Sequence, residues 1–484
     1  MTKKNFESIV CLFVWTFSCL YSLYCFHWGS EAIKHHLDPE DFSSGFLPSR
    51  EQDASDFEWT VFRNAVKNHW LLILGHILMS QIIQLFVPQV TVVFMIVYGS
   101  FTINCVLSPF VLLIFWLNIL IAFCAHLSGI YLLPYLLCIG SFGILHGPQY
   151  IDIKRSLLDY DLQKVFLFDV LFAWLNAKCL SFSCDRNEAL KKSKHDSTNI
   201  LMILAYCMYF PTLFTGPIHQ FHSFLENMRS HSKYSIDRTV DCLFKLIPMA
   251  GYAILYEVLT HYLFSSAVQF YPELTNMFDS WTLCGLGYCL PVLFHIKYYV
   301  LYGTAKALAE FDEIKIPPPP KCVSRIHSST YLWRHFDRGL HLWLSRYFYK
   351  PIVLKYPSLF MNVLATFVSF FCVCLWHGMD KTIIAWCCLN FFCVVFEKVG
   401  HQLRTSGKVS ELEGSISPNV MRRIRSTIAA PFFLLMIISN IFFLSNYELG
   451  KIFVERVLFS FPLPLVNVLL IMYCGCDVSI RLLE

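Results

Sequence analysis

The chain reads as an all-α polytopic membrane protein, and three observations say so. Of its 484 residues 56% are hydrophobic and only 15% charged. Several apolar runs can cross about 30 Å of hydrocarbon. Windows such as Ile9–Trp28, Phe110–Leu127 and Ile428–Phe443 contain no Asp, Glu, Lys or Arg, which a buried core of a water-soluble protein would not require.

Taking turn residues and charges as punctuation, spans fall near 9–28, 70–87, 90–107, 109–127, 129–146, 165–183, 198–215, 240–264, 282–303, 358–376, 382–397, 428–446 and 459–476. Pro88, Pro134, Pro211, Pro291 and Pro462 interrupt several of them or lie at their edges. The pattern therefore predicts a bundle of about 10–12 full crossings with re-entrant or interfacial pieces. The first run follows Lys3 and Lys4 like a signal peptide, yet it is long and lacks a clean cleavage site, so it reads as a retained span.

The whole of 1–484 forms one membrane domain in this reading. Residues 29–69 make an acidic loop, whereas positive charge gathers at Lys3 and Lys4, Arg186–Lys194, Lys306–Lys355 and Lys398–Arg425. Basic loops are expected in the cytosol and the acidic loop in the lumen. A net charge of +4 without a basic block interleaved with aromatics excludes nucleic acid as a partner and leaves membrane lipids as the surroundings. Most of the 20 cysteines, Cys11, Cys105, Cys138 and Cys372 among them, sit inside apolar runs as small hydrophobes rather than in a disulfide framework.

Residues 306–357 break the alternation of span and short loop and form a cytosolic or re-entrant segment. Pro317–Pro320 cannot be helical. Beyond it, Trp333, Phe336, Leu340, Trp343, Leu344 and Tyr347 recur at helical intervals between charges, which predicts an amphipathic helix over Thr330–Tyr349. Such a helix can lie at the interface with Arg346, Tyr349 and Lys350 at the headgroups, or it can carry chemistry. The span 358–378 then closes on Leu375-Trp376-His377-Gly378. An ionisable group at membrane depth is costly and marks a functional candidate. The alternatives stay open: His377 as a packing residue, and Asp337 as the ion-pair partner of Arg334, Arg338 or His341.

From Trp333 to Pro351 the chain reads W-R-x-F-D-x-G-L-H-x-W-L-x-R-Y-x-Y-x-P, and a W-H-G follows whose His lies 40 positions after the Asp. Upstream stand Tyr209-Phe210-Pro211 and Gly216-Pro217-Ile218. These motifs resemble the core of the membrane-bound O-acyltransferase superfamily. Asp337 in place of the commoner Asn or His, together with Pro320-x-Cys322-Val323-Ser324, resembles its Hedgehog acyltransferase type.

The resemblance implies a bundle around a central tunnel in the endoplasmic reticulum or Golgi membrane. The activity it implies moves palmitate from palmitoyl-CoA to the amino-terminal cysteine amine of a secreted signalling protein, Hedgehog-like or, in insects, EGF-like. It assigns catalysis to Asp337 and His377, and donor or acceptor binding to Trp333, Arg334, His341 and Asn440. Cys322 would hold haem b iron, for which a thiolate is a competent ligand. Asp337 would take the proton of the attacking amine while His377 polarises the thioester carbonyl or protonates the leaving thiolate. A lipid or serine hydroxyl acceptor, a non-catalytic binding relative, and a transporter or receptor are the competing readings. The last gives the W-H-G spacing no role.

Overall fold

The computed structural model describes residues 3–191, 199–229, 236–323, 326–405, 407–460 and 464–483; Lys194, Ser324 and Pro462, named above, lie outside them. In chain order the helices used below begin with α1 (Lys3–Ile33), α2 (Phe57–Phe86), α3 (Thr91–Val106), α4 (Pro109–Leu127) and the short α5 (Leu133–Leu145). There follow α6 (Leu162–Lys191), the short α7 (Ile200–Met208), α8 (Ile236–Thr260) and α9 (Ser280–Phe311). Two short helices, α10 (Ser329–His335) and α11 (Arg338–Leu344), precede α12 (Leu359–Trp376), α13 (Lys381–Arg404), α14 (Pro418–Leu444) and α15 (Leu465–Leu483).

Among the described residues 11 helices are long and apolar enough to cross a membrane. Two of the marked spans are not among them. The run 129–146 yields α5, whose 13 residues rise too little to cross. The run 198–215 stops being helical at Met208, because Pro211 forces a 3-10 turn at Phe210–Thr212. Its apolar character serves burial in protein instead: Tyr206, Cys207, Met208 and Tyr209 are inaccessible to solvent.

The acidic stretch 29–69 is not a single loop. Residues up to Ile33 belong to α1, and α2 begins at Phe57, where the Asp56 carboxylate accepts a hydrogen bond from the Trp59 amide at 2.9 Å. The charges that suggest a loop are paired: Arg63 meets Glu257 at 3.4 Å, and Glu58 meets Lys297 at 2.7 Å. Between the helices, Phe42–Ser43 and Gln52–Asp53 form a two-residue antiparallel ladder, a small exception to the all-α expectation.

Helix α9 is the member around which the others are arranged, packing on α1, α8 and α14. Its Gly285 lies against the main chain of Ser22, where any Cβ would overlap the Ser22 carbonyl oxygen. Side chains from α9 also gather buried polar groups that lipid could not solvate. At its end Asp312 accepts from Ser80 at 2.6 Å and Tyr209 at 2.9 Å, and meets His76 at 2.9 Å, tying α2 to the end of α7. Midway along it, Lys297 bridges Asp56 at 2.9 Å and Glu58 at 2.7 Å, at the start of α2.

Removing one member of such a buried cluster strands the others. Lys297→Met leaves Asp56 and Glu58 without their cation and is expected to cost about 3–5 kcal/mol, read as a fall in the thermal midpoint of the detergent-solubilised protein. Lys297→Arg, which keeps the charge, is expected to lose less.

Candidate active site

A cavity of about 600 Å³ lies inside the bundle, lined from α2, α6, α9, the α10–α11 segment and α12–α14. Asp337, His377, Trp333, His341 and Asn440 all border it; Arg334 and Cys322 do not.

Asp337 reaches the cavity because the helix predicted over Thr330–Tyr349 is not continuous. It breaks after His335, and Asp337, with φ −108° and ψ 85°, becomes the N-cap of α11. Oδ1 of Asp337 accepts from the Leu340 amide at 2.8 Å, and Oδ2 accepts from the Tyr302 hydroxyl of α9 at 2.8 Å. Asp337 therefore does not pair with Arg334, Arg338 or His341. Close packing accompanies the break. Gly339 lies on the main chain of Ile218, and a Cβ there would overlap the Ile218 carbonyl oxygen. The upstream Gly-Pro-Ile motif and the Asp337 segment, more than 100 residues apart, are thus one contact.

Beyond the break the segment turns back towards protein. Arg346, expected at the headgroups, donates from Nε to Asp185 of α6 at 2.8 Å and from Nη2 to Glu188 at 3.1 Å. Residues Ser345–Tyr349 form a π-helical turn, and Tyr349 donates to Asn362 of α12 at 2.7 Å.

His377 caps the end of α12, its amide bonded to the Val373 carbonyl at 3.2 Å. The chain turns sharply after it, with Gly378 at φ +100° and Met379 at φ +55°. Only glycine adopts the first without strain. The imidazole stands edge-on between Phe443, 5.1 Å away at 81°, and Trp386, 5.7 Å away at 86°. No side-chain hydrogen bond is made by this ring among the described residues. Burial between these apolar faces favours the neutral ring.

The wall beside His377 is a hydrogen-bonded aromatic stack. Trp333 Nε1 donates to Asn390 at 3.0 Å, Asn390 donates to Ser439 at 3.0 Å, and Trp386 Nε1 donates to Asn440 at 3.3 Å. Trp333 lies on Phe370 and Trp386, with centroids 4.8 and 5.4 Å away. Its indole N–H is thereby committed to protein, leaving the ring as an apolar surface.

Charge is divided across the cavity. Glu58, Asp169 and Asp337 border it together with Lys297. Outside it, on the α10–α11 side, Arg334 has no carboxylate partner among the described residues. Its charge acts on its neighbours: burial and Arg334 together push His341 down to about 4. Lys398 lies over the Tyr349 ring at 4.3 Å.

Cys322 is exposed on the loop before α10 and lines neither this cavity nor the apolar one beside it. No group of three His, Cys, Asp or Glu side chains suited to a metal ion occurs among the described residues. An axial thiolate needs an apolar slot for its porphyrin, and Cys322 does not fit that role.

Several residues here carry no motif. Tyr302, Glu58 and Lys297 read as ordinary positions in or near apolar runs. Trp386 and Asn390 were missed as well; the spacing Trp386-x-x-x-Asn390, which places two polar atoms on one helix face in an apolar span, is the signal that could have found them.

Comparison with known proteins agrees with this geometry. The model of the MBOAT, membrane-bound O-acyltransferase family, matches residues 154–439, more than half of the chain. Protein-cysteine N-palmitoyltransferase HHAT of Mus musculus is 28% identical over 89% of this chain and 88% of its own. The protein-cysteine N-palmitoyltransferase HHAT-like protein of Mus musculus is 26% identical over 88% and 84%. Protein-cysteine N-palmitoyltransferase Rasp of Drosophila melanogaster is 26% identical over 58% and 56%. With Asp337, His377, Trp333, His341 and Asn440 bordering one cavity and residues 154–439 matched by the family model, the chain belongs to the membrane-bound O-acyltransferase family.

Proposed function

We propose that the protein transfers palmitate from palmitoyl-CoA to the α-amine of an amino-terminal cysteine on a secreted signalling protein, Hedgehog-like or EGF-like, in the endoplasmic reticulum or Golgi membrane. The observation that carries this reading is that Asp337 and His377 border one cavity without bonding to each other. A carboxylate that served to orient the histidine as base for a hydroxyl would be found on its ring. Here the carboxylate is an independent group, held by Tyr302 and the Leu340 amide.

An α-amine with a pKa of about 7.7–8.0 is partly neutral at cellular pH and needs only modest help from a base. The amine nitrogen attacks the thioester carbonyl, and Asp337 takes the proton that the nitrogen sheds as the C–N bond forms. The C–S bond breaks and CoA leaves as a thiolate, which a thiol pKa of about 8.5 permits without an acid. A neutral His377 then suits polarising the carbonyl through an N–H better than delivering a proton. The basic group of Arg334 and Lys398 favours the phosphates of CoA on one side, and the carboxylates of Glu58 and Asp169 favour an ammonium entering from the other. An apolar chamber of about 150 Å³, between α1, α9, α14 and α15, shares Pro291, Val323, Leu332 and Asn440 with the main cavity and suits the acyl chain. Haem has no part in this reading, since Cys322 lines neither cavity.

Purified protein given palmitoyl-CoA is expected to place hydroxylamine-resistant palmitate on a peptide with a free amino-terminal cysteine and none on its acetylated twin. Equal labelling of both would move the assignment to a thiol or hydroxyl acceptor. Asp337→Ala and His377→Ala are each expected to lower the rate by about 10²–10⁴-fold.

Burial raises the Asp337 carboxyl above its ordinary value, against the Leu340 amide and Tyr302 hydroxyl that favour its charge. The base works deprotonated, so the rate is expected to fall as pH drops through that raised value. Tyr302→Phe removes a donor to the carboxylate and should move this acid limb to higher pH. In the apolar chamber, Val468→Phe should shift donor preference from palmitoyl-CoA to shorter acyl-CoAs in a competition assay.

A further inference from the structure

We infer that His146 is a positioning residue for His377, acting through the main chain of the Trp376-His377-Gly378 turn. The inference rests on the reading above that His377 works on the thioester. His146 follows the last residue of α5 and borders the main cavity. Its Nε2 lies 2.6 Å from the Trp376 carbonyl oxygen. A carbonyl only accepts, so Nε2 carries the proton and Nδ1 is free.

The last carbonyls of a helix have no partner within it. At the end of α12 they are all accounted for. Val373 O accepts from the His377 amide at 3.2 Å, Leu375 O from Gly378 at 3.3 Å, and Cys374 O from Met379 at 3.1 Å. Trp376 O is satisfied by His146. The imidazole thus completes the cap from another helix and fixes the peptide plane immediately before His377.

Two further contacts show a built fit. A Cβ on Gly378 would stand 3.2 Å from His146 Nδ1 and 3.3 Å from Cγ, so the glycine leaves the room that His146 fills. The Trp376 indole is gripped by Phe142 of α5 at 5.2 Å and Trp174 of α6 at 5.0 Å. The His377 ring makes no hydrogen bond of its own among the described residues, so its backbone is where hydrogen-bonded control of its direction enters. A length of helix too short to cross the membrane is in this way a strut for the histidine.

The test compares His146→Ala and His146→Gln, each alone and in the His377→Ala background. Rates are taken with palmitoyl-CoA and whichever acceptor the unsubstituted protein acylates. His146→Ala is expected to lower kcat by about 10–100-fold, the scale of a misplaced catalytic group, with KM for palmitoyl-CoA unchanged. His146→Gln keeps an N–H donor and is expected to recover most of the loss. In the His377→Ala background His146→Ala should subtract nothing further, because its effect passes through the missing ring. An equal fall in both backgrounds, a rise in KM in place of a fall in kcat, or a glutamine variant as slow as alanine despite an unchanged thermal midpoint would overturn the inference. Absence of amide-linked palmitate with the unsubstituted protein would instead refute the proposed activity, leaving these ratios to be judged separately.

Discussion

The hydrogen bond from Tyr302 to Asp337 is the interaction on which the site depends, because it fastens an irregular segment to α9, the helix that packs on α1, α8 and α14. An uncompensated carboxylate in a lipid-bounded interior is expensive. Capping α11 and accepting from Tyr302 meet that requirement while the carboxylate still borders the cavity. Tyr298, one turn earlier on α9, donates to Glu58 at 2.7 Å in the same manner. A single helix face thus sets the positions of two cavity carboxylates, and Lys297 beside them keeps the second from being left unbalanced.

The same economy explains why the aromatic wall is polar at its edges. Each indole N–H in a dry site needs an acceptor, and Asn390 and Asn440 supply one each from neighbouring helices. The apolar faces of Trp333 and Trp386 are then free to line the void beside His377. The positions of these rings are thus fixed by amide side chains on neighbouring helices.

Much of this was legible before any coordinates. Apolar runs and the positions of proline located the crossings, and the Asp337 and His377 motifs border one cavity. What was not legible has identifiable causes. The amphipathic period over Thr330–Tyr349 is real, but a capping carboxylate and the contact of Gly339 with Ile218 override it, and both depend on residues distant in sequence. The start of α2 was obscured because Glu58 and Arg63 look solvated until their partners Lys297 and Glu257 are seen. The run 198–215 is apolar enough to span and is instead wrapped by protein, a distinction hydropathy cannot make. Arg334 and Cys322 carry motif positions yet lie off the void.

The contact between Gly339 and the Ile218 main chain has a reach beyond geometry. Residues 216–218 border no part of the void, so an inspection by distance to substrate would class changes there as remote. They nonetheless form the floor on which the carboxylate-bearing bend sits. Changes in that tripeptide therefore act on the bend that carries Asp337, and a compensating change for one of them is to be sought around position 339 rather than nearby in the chain.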